Sequence, residues 1–347
     1  MLDLFKDAYF QKIFIGTVIL GFATGAIGLF SILRKQALIG DALSHAALPG
    51  VVLSYIIFQN RALEILLLGA FVSAIVSMGL INIINKYTKV KFDASMALIL
   101  SSFFAIGNVL MQTIQGGHGL NRFVFGEAAT MLQRDVNFIL IASIITLFVS
   151  ILLWRHIKLF IFDRSFYLSL GFNDKIVNTV LTLLVAIVVT ISIRTIGVVL
   201  MSALLIAPAV TARLISNKFS TNFILAGIFG AVSGAIGTIF SFQIKNLPTG
   251  PIIVVSLSVI LLIILLFTPK NGIISKIIND KRHKKLILKY HPLVHFYEYG
   301  MLSITDETQI SYFIDNAYLV LDENKYLLTD KGEMIVNNIL RGENLWV

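Results

Sequence analysis

The stretch Gly40-Asp41-Ala42-Leu43-Ser44-His45-Ala46-Ala47-Leu48-Pro49-Gly50 sets a carboxylate and an imidazole four positions apart inside a run that otherwise belongs in lipid. Four residues is about one helical turn, so on a helix Asp41 and His45 project from the same face. Ionisable side chains at membrane depth are costly unless they meet a cavity, a partner or an ion. Gly40, Ala42, Ser44, Ala46 and Ala47 surround the pair with small side chains, which lets another helix or a hydrated ion approach the backbone. The stretch predicts a membrane-spanning helix carrying a candidate site on a cation path. Carboxylate with neutral imidazole suits manganese, iron or zinc, and the chain has no cysteine to favour a softer ion. The same spacing fits a structural reading, in which Asp41 caps a helix start and His45 bonds a backbone carbonyl of the bundle.

Composition carries the membrane reading outward to the whole chain. With 57% hydrophobic and 14% charged residues and a mean hydropathy of +0.87, this is not the composition of a soluble globular domain. A formal charge of +9 fits nucleic acid or basic cytoplasmic loops, and in a membrane protein it reports the loops. Zero cysteines excludes disulfides, cysteine-zinc sites and cysteine catalysis together. Met1 to Lys12 carries Asp3 and Asp7 and lacks a small-residue cleavage site, so it does not read as a cleaved signal peptide.

Apolar runs long enough to span fall near 13–33, 37–58, 62–84, 94–113, 136–155, 176–193, 195–214, 222–243 and 250–268. The reading is nine spans, or eight with a re-entrant piece. With nine, the clusters at Arg34-Lys35, Lys86 to Lys91, Arg155 to Lys175, Arg213 to Lys218 and Lys270 to Lys285 share one side, the cytoplasm, which puts the N-terminus outside. Pro208 predicts a kink in the 195–214 run. Gly227, Gly230, Gly234 and Gly237 predict a close-packing face. Arg194 reads as a snorkelling span end, and His156, beside Arg155, receives no role.

Two connections carry more pattern than a simple loop needs. The outer one, 115–127, mixes glycines with aromatics and holds His118 and Glu127, candidates for the outer pathway. The inner one runs from Phe162 and Asp163 to Lys175. Its apolar positions 166, 167 and 170 before Gly171 predict a short amphipathic helix with a glycine stop.

These motifs together resemble the membrane (permease) subunit of manganese, zinc and iron ABC importers, the ABC-3 family. The resemblance rests on 40–50, Gly119 to Ala129, Phe162-Asp163 with Leu170-Gly171, Ser202 to Pro208, and Pro248-Thr-Gly-Pro251, in order across residues 10 to 268. It implies two separate ATPase subunits, an extracytoplasmic metal-binding protein, and a second permease subunit that is either this chain again or a sister. It implies that Asp41 and His45 contact the transported metal, and that Asp163, Phe166, Leu170 and Gly171 belong to the ATPase-coupling loop. His118, Glu127 and Pro208 are pathway or gate candidates. No cofactor is expected to be held permanently; manganese, zinc or iron is cargo. No Walker A pattern occurs, so ATP hydrolysis is expected in the partners and the chain is not itself the enzyme. The location implied is the bacterial inner membrane, multi-pass.

Beyond about 279 the apolar runs stop, and residues 281–347 hold eight basic against nine acidic residues. A basic helix near 282–290, helical patterns near 293–300 and 305–316, an alternating stretch from Tyr318 to Leu328, and a last helix opened by Thr329-Asp330 suggest a winged helix. Leu328-Thr-Asp-Lys-Gly332 and Arg341 to Trp346 are similar to the amino-terminal domain of metal-dependent repressors of the diphtheria-toxin-regulator type. The expected fold is therefore an all-α polytopic membrane protein of eight to nine transmembrane helices over 1–270, then a small α+β winged-helix-like cytoplasmic domain over 271–347. The helix in the reading position, 305–316, carries Asp306, Glu307 and Asp315 and no Lys or Arg, which opposes DNA binding. Lys281 to Lys285 reads as a juxtamembrane anchor to anionic lipid. His291 and His295 are again four apart, but Pro292 between them favours a helix start with two surface imidazoles over a metal clamp. The rival functions are an ATP-independent metal channel or secondary transporter, and a membrane-bound metal-responsive regulator.

Overall fold

The computed structural model describes residues 6–113, 126, 131–244, 247–269, 272–300, 307–322 and 325–340. His118 and Glu127 lie outside the described residues, as does most of the outer loop. The chain divides into two compact units, Met1–Leu265 and Leu266–Val347.

The first unit is helical. It comprises α1 (Ala8–Leu33), α2 (Ile39–Phe58), α3 (Leu63–Tyr87), α4 (Phe92–Thr113), α5 (Gln133–Leu152), the short α6 (Trp154–Phe162) and α7 (Arg164–Ser169), then α8 (Asp174–Ile196), α9 (Met201–Ile215), α10 (Phe219–Gln243) and α11, which begins at Thr249 and ends at Phe267. Eight of these, α1 to α5, α8, α10 and α11, are long and apolar enough to cross a membrane. Lipid-exposed backbone polar groups have no water to bond, and an unbroken helix satisfies them internally.

The predicted ninth span, 195–214, is different. Gly197, with φ of +93°, ends α8, and the helix resumes only at Met201, leaving α9 with 15 residues. That is shorter than the roughly 20 a full crossing takes. α9 runs through Pro208 as one helix.

Helices α1, α2 and α8 form the buried centre, whereas α4 and α11 leave most of their surface uncovered. The predicted glycine face of α10 meets α1. A Cβ at Gly230 would strike the backbone carbonyl of Gly21, and one at Gly21 would strike that of Gly230. Two such helices touch main chain to main chain, which is how apolar helices gain packing where lipid offers no hydrophobic contrast.

The second unit holds α12 (Ile273–Tyr299), α13 (Glu307–Asp315), β1 (Leu319–Asp322), β2 (Lys325–Leu328) and α14 (Asp330–Leu340). The strands are antiparallel, with Leu319 opposite Leu328 and Asp322 opposite Lys325. Tyr290, Leu293, Phe313, Tyr318, Val336 and Ile339 are among the side chains of its own core. Where the sequence suggests two helices parted at Pro292, the structure has one. α12 passes through Pro292 and stops at Gly300, which has φ of +67°.

Candidate metal pathway and coupling segment

α2 starts at Ile39 with Leu38 as its cap residue and no side-chain cap bond. Asp41 is thus a first-turn acid, favoured by the positive end of the helix dipole, and is not the cap of the structural reading. One turn on, His45 projects from the same side of α2. The His45 Nδ1 atom is buried and has no hydrogen-bond partner, so the predicted bond to a backbone carbonyl is not made through that nitrogen.

Three helices frame the pair. Gly40 abuts α9, where a Cβ would lie 2.7 Å from Leu205 Cδ2 and 3.6 Å from Ser202 Cα. From α3, the Ser73 hydroxyl donates to the Ala46 carbonyl at 2.6 Å. From α4, the Phe104 ring stands edge-on to the His45 ring, centroids 4.6 Å apart and planes at 88°. A Cβ on Gly107 would lie 2.9 Å from Leu48 Cγ and 3.0 Å from Pro49 N, so only glycine allows α4 this close. Pro49 has no N–H and cannot bond the His45 carbonyl one turn back. Asp41 thus sets a carboxylate on one turn of the helix, and His45 sets an imidazole on the next, together with a carbonyl to which Pro49 offers no N–H. Oxygen and nitrogen donors of this kind suit manganese, iron and zinc. Among the described residues, no three His, Asp or Glu side chains converge as a metal cluster, at this pair or elsewhere. Pro208 is buried on α9 against α1, 3.1 Å from where a Gly25 Cβ would be.

Asp163, Phe166, Leu170 and Gly171 come together in one compact segment. The Asp163 carboxylate accepts from the Phe166 N–H at 2.8 Å and caps α7. Gly171, with φ of +81°, donates its N–H to the Leu168 carbonyl at 2.9 Å and ends the turn. The Arg164 Nε donates to Asp174 Oδ2 at 3.1 Å, closing the segment onto the start of α8. Of the apolar positions, only Tyr167 is buried. Phe166 and Leu170 are each 50% exposed, so they point away from the fold.

The structure adds residues that the sequence did not single out. His156 is one: its ring stands edge-on to Tyr167 and Phe172, and its Nδ1 is 3.4 Å from the Tyr167 hydroxyl. Arg34 and Asn178 are others, joined by a bond from Arg34 Nη2 to Asn178 Oδ1 at 2.6 Å. A lone histidine and a lone asparagine beside a span carry no spacing signal. Arg34 looked like one more cytoplasmic-side charge.

A profile of the ABC 3 transport family matches residues 6–268. The zinc transport system membrane protein TroC of Treponema pallidum is 37% identical over 287 residues, covering 81% of this chain and 96% of the relative. The manganese transport system membrane protein MntC of Bacillus subtilis is 36% identical over 293 residues, covering 83% of this chain and 67% of the relative. Among solved structures, PsaBC from Streptococcus pneumoniae in complex with Fab is similar with a TM-score of 0.70 at 28% identity, over 77% of this chain and 95% of that one. With its profile spanning most of the chain and these relatives covering the same helices, the chain belongs to the ABC 3 transport family.

Proposed function

We propose that this chain is the transmembrane subunit of an ATP-driven importer of a divalent transition metal, manganese, zinc or iron. The relatives are named for zinc and for manganese transport, and the donor set at Asp41 and His45 suits all three ions. The observation that carries the reading is the Asp41–His45 pair on one face of a spanning helix, with a buried, unpaired His45 Nδ1 and no cap bond to account for Asp41. The pair replaces part of the hydration of an ion passed from an extracytoplasmic binding protein. Two protein side chains leave most of the coordination sphere open, which suits a site that must release its cargo.

Two ATPase subunits dock on the exposed side of α7, at Phe166 and Leu170, and their closure moves that segment to switch access. A second permease subunit, this chain again or a sister, completes the pathway. The side bearing the α1–α2 turn and α7 is the cytoplasm, because basic residues gather there. The second unit, winged-helix-like in its helix, helix, strand-pair, helix order, is on the cytoplasmic side when α9 counts as a ninth, short crossing, since eight crossings would return the chain to the side of its N-terminus. It serves regulatory contact with the ATPase, because 305–316 has no basic side chain to meet a phosphate backbone. Lys281 to Lys285 contact anionic lipid.

The experiment is uptake of radiolabelled manganese and zinc by cells expressing the chain with and without its ATPase and binding protein. Uptake that needs both supports the importer. Uptake by the chain alone would make it a channel or secondary transporter, and a salt-sensitive gel shift of DNA by the full chain would favour the regulator.

A further inference from the structure

Asp174 and Asn178 lie one turn apart on α8 and each holds an arginine from elsewhere. Asp174 takes Arg164 of α7, and Asn178 takes Arg34, at the end of α1. Seven residues after Arg34 comes Asp41. The path from the exposed α7 surface to the metal pair is therefore two side-chain contacts, one helical turn and one tight interhelical turn.

That tight turn is under strain and under-bonded. Gln36 N–H donates to the Ser31 carbonyl at 2.9 Å and Lys35 N–H to the Ile32 carbonyl at 3.0 Å. This helix-ending motif usually places glycine where Lys35 stands. Lys35 has φ of +58°, a left-handed conformation that side chains rarely adopt. Around it, Arg34 Nη1, Gln36 Oε1 and the Ser31 hydroxyl are buried without hydrogen-bond partners. Burial pushes the Arg34 guanidinium down to about 10, still charged at neutral pH. An unpaired donor and two unpaired oxygens within six residues describe a turn with a second arrangement available, since buried polar groups are otherwise satisfied. Strain of this kind persists where surrounding contacts impose it. Here the contact on hand is the Asn178 bond.

We propose that the Arg34–Asn178 hydrogen bond is a coupling strut: movement of α7 reaches the start of α8 through Arg164–Asp174, and Asn178 passes it through Arg34 to the turn that sets the position of Asp41 and His45. Release of the bond lets Arg34 turn toward Gln36 and Ser31, and α2 moves with the turn. Arg34 and Asn178 are positioning residues and do not touch the metal. This rests on the reading of α7 as the ATPase contact and of Asp41–His45 as the metal contact.

The test is metal transported per ATP hydrolysed by the whole transporter in proteoliposomes, with its ATPase and binding protein. Variants are Arg34→Met, Asn178→Leu, the double variant and Asn178→Asp. The strut predicts that each single variant keeps ATP hydrolysis and its metal half-saturation but transports about tenfold less metal per ATP, the scale of a hydrogen bond to a charged group. The double variant should be no worse than either single one, and Asn178→Asp, which still accepts from Arg34, should restore the ratio. Additive losses, a failure of Asn178→Asp to rescue, or an unchanged ratio in the single variants would each overturn the strut. A parallel His45→Ala sample separates the two ideas: if it transports normally, the metal-site reading has failed instead.

Discussion

His45 shows how little holds the imidazole of the proposed metal pair in place. A ligating imidazole is usually oriented by a hydrogen bond on its other nitrogen, and losing that support costs roughly ten- to a hundredfold in metal affinity. His45 Nδ1 has no such bond, and the edge-on Phe104 ring orients the imidazole by packing. Phe104→Ala should therefore raise the metal half-saturation of uptake by about tenfold, with Phe104→Tyr near wild type. Equal half-saturation in all three proteins would show that the ring does nothing for His45. The one-turn spacing of Asp41 and His45 was legible in the sequence because it is a local property of one helix. Phe104 was not, because it is one phenylalanine among 26. It matters only once α4 is known to run alongside α2, with Gly107 drawn against Leu48.

At the scale of elements, α7 divides its apolar residues by role. Tyr167 is buried against Phe160 and the His156 ring, whereas Phe166 and Leu170 face out. Phe166→Asp should leave thermal stability nearly unchanged, as surface substitutions do, while lowering co-purification of the ATPase and abolishing ATP-driven uptake. A variant that keeps a full complement of ATPase would place the docking surface elsewhere. The sequence pattern had grouped 166, 167 and 170 as one amphipathic face, and Gly171 as its stop. The stop reads from glycine's tolerance of positive φ. Which residue of the trio turns inward depends on the α6 and α8 neighbours, which no local pattern encodes. The same limit explains α9, since hydropathy over 195–214 runs smoothly across Gly197, where the backbone breaks. It also explains α12, where Pro292 suggested a helix start and packing around Leu293 and Tyr290 carries the helix through.

At the scale of the molecule, two units have separate cores, and the first of them carries the eight long apolar helices. The lipid-facing unit was legible from composition alone, because eight long apolar helices leave few other readings. The second unit was legible as a polar, charged segment, and its strand pair as an alternating stretch. Phe313 is fully buried in its core beside Tyr290. Phe313→Ala should destabilise that unit by about 3–5 kcal/mol, raising amide exchange in 307–340 and leaving exchange in α1 and α8 unchanged. Equal exchange increases in both units would mean that they unfold as one.

The central claim is that Asp41 and His45 handle the ion. It is tested most directly by uptake of radiolabelled manganese and zinc in the complete transporter, comparing wild type with Asp41→Asn and His45→Ala at equal membrane abundance and with ATP hydrolysis measured alongside. The account predicts that both variants assemble and hydrolyse ATP but lose uptake of the cargo metal. Unchanged uptake in both would contradict it and leave the pair as a structural feature of α2.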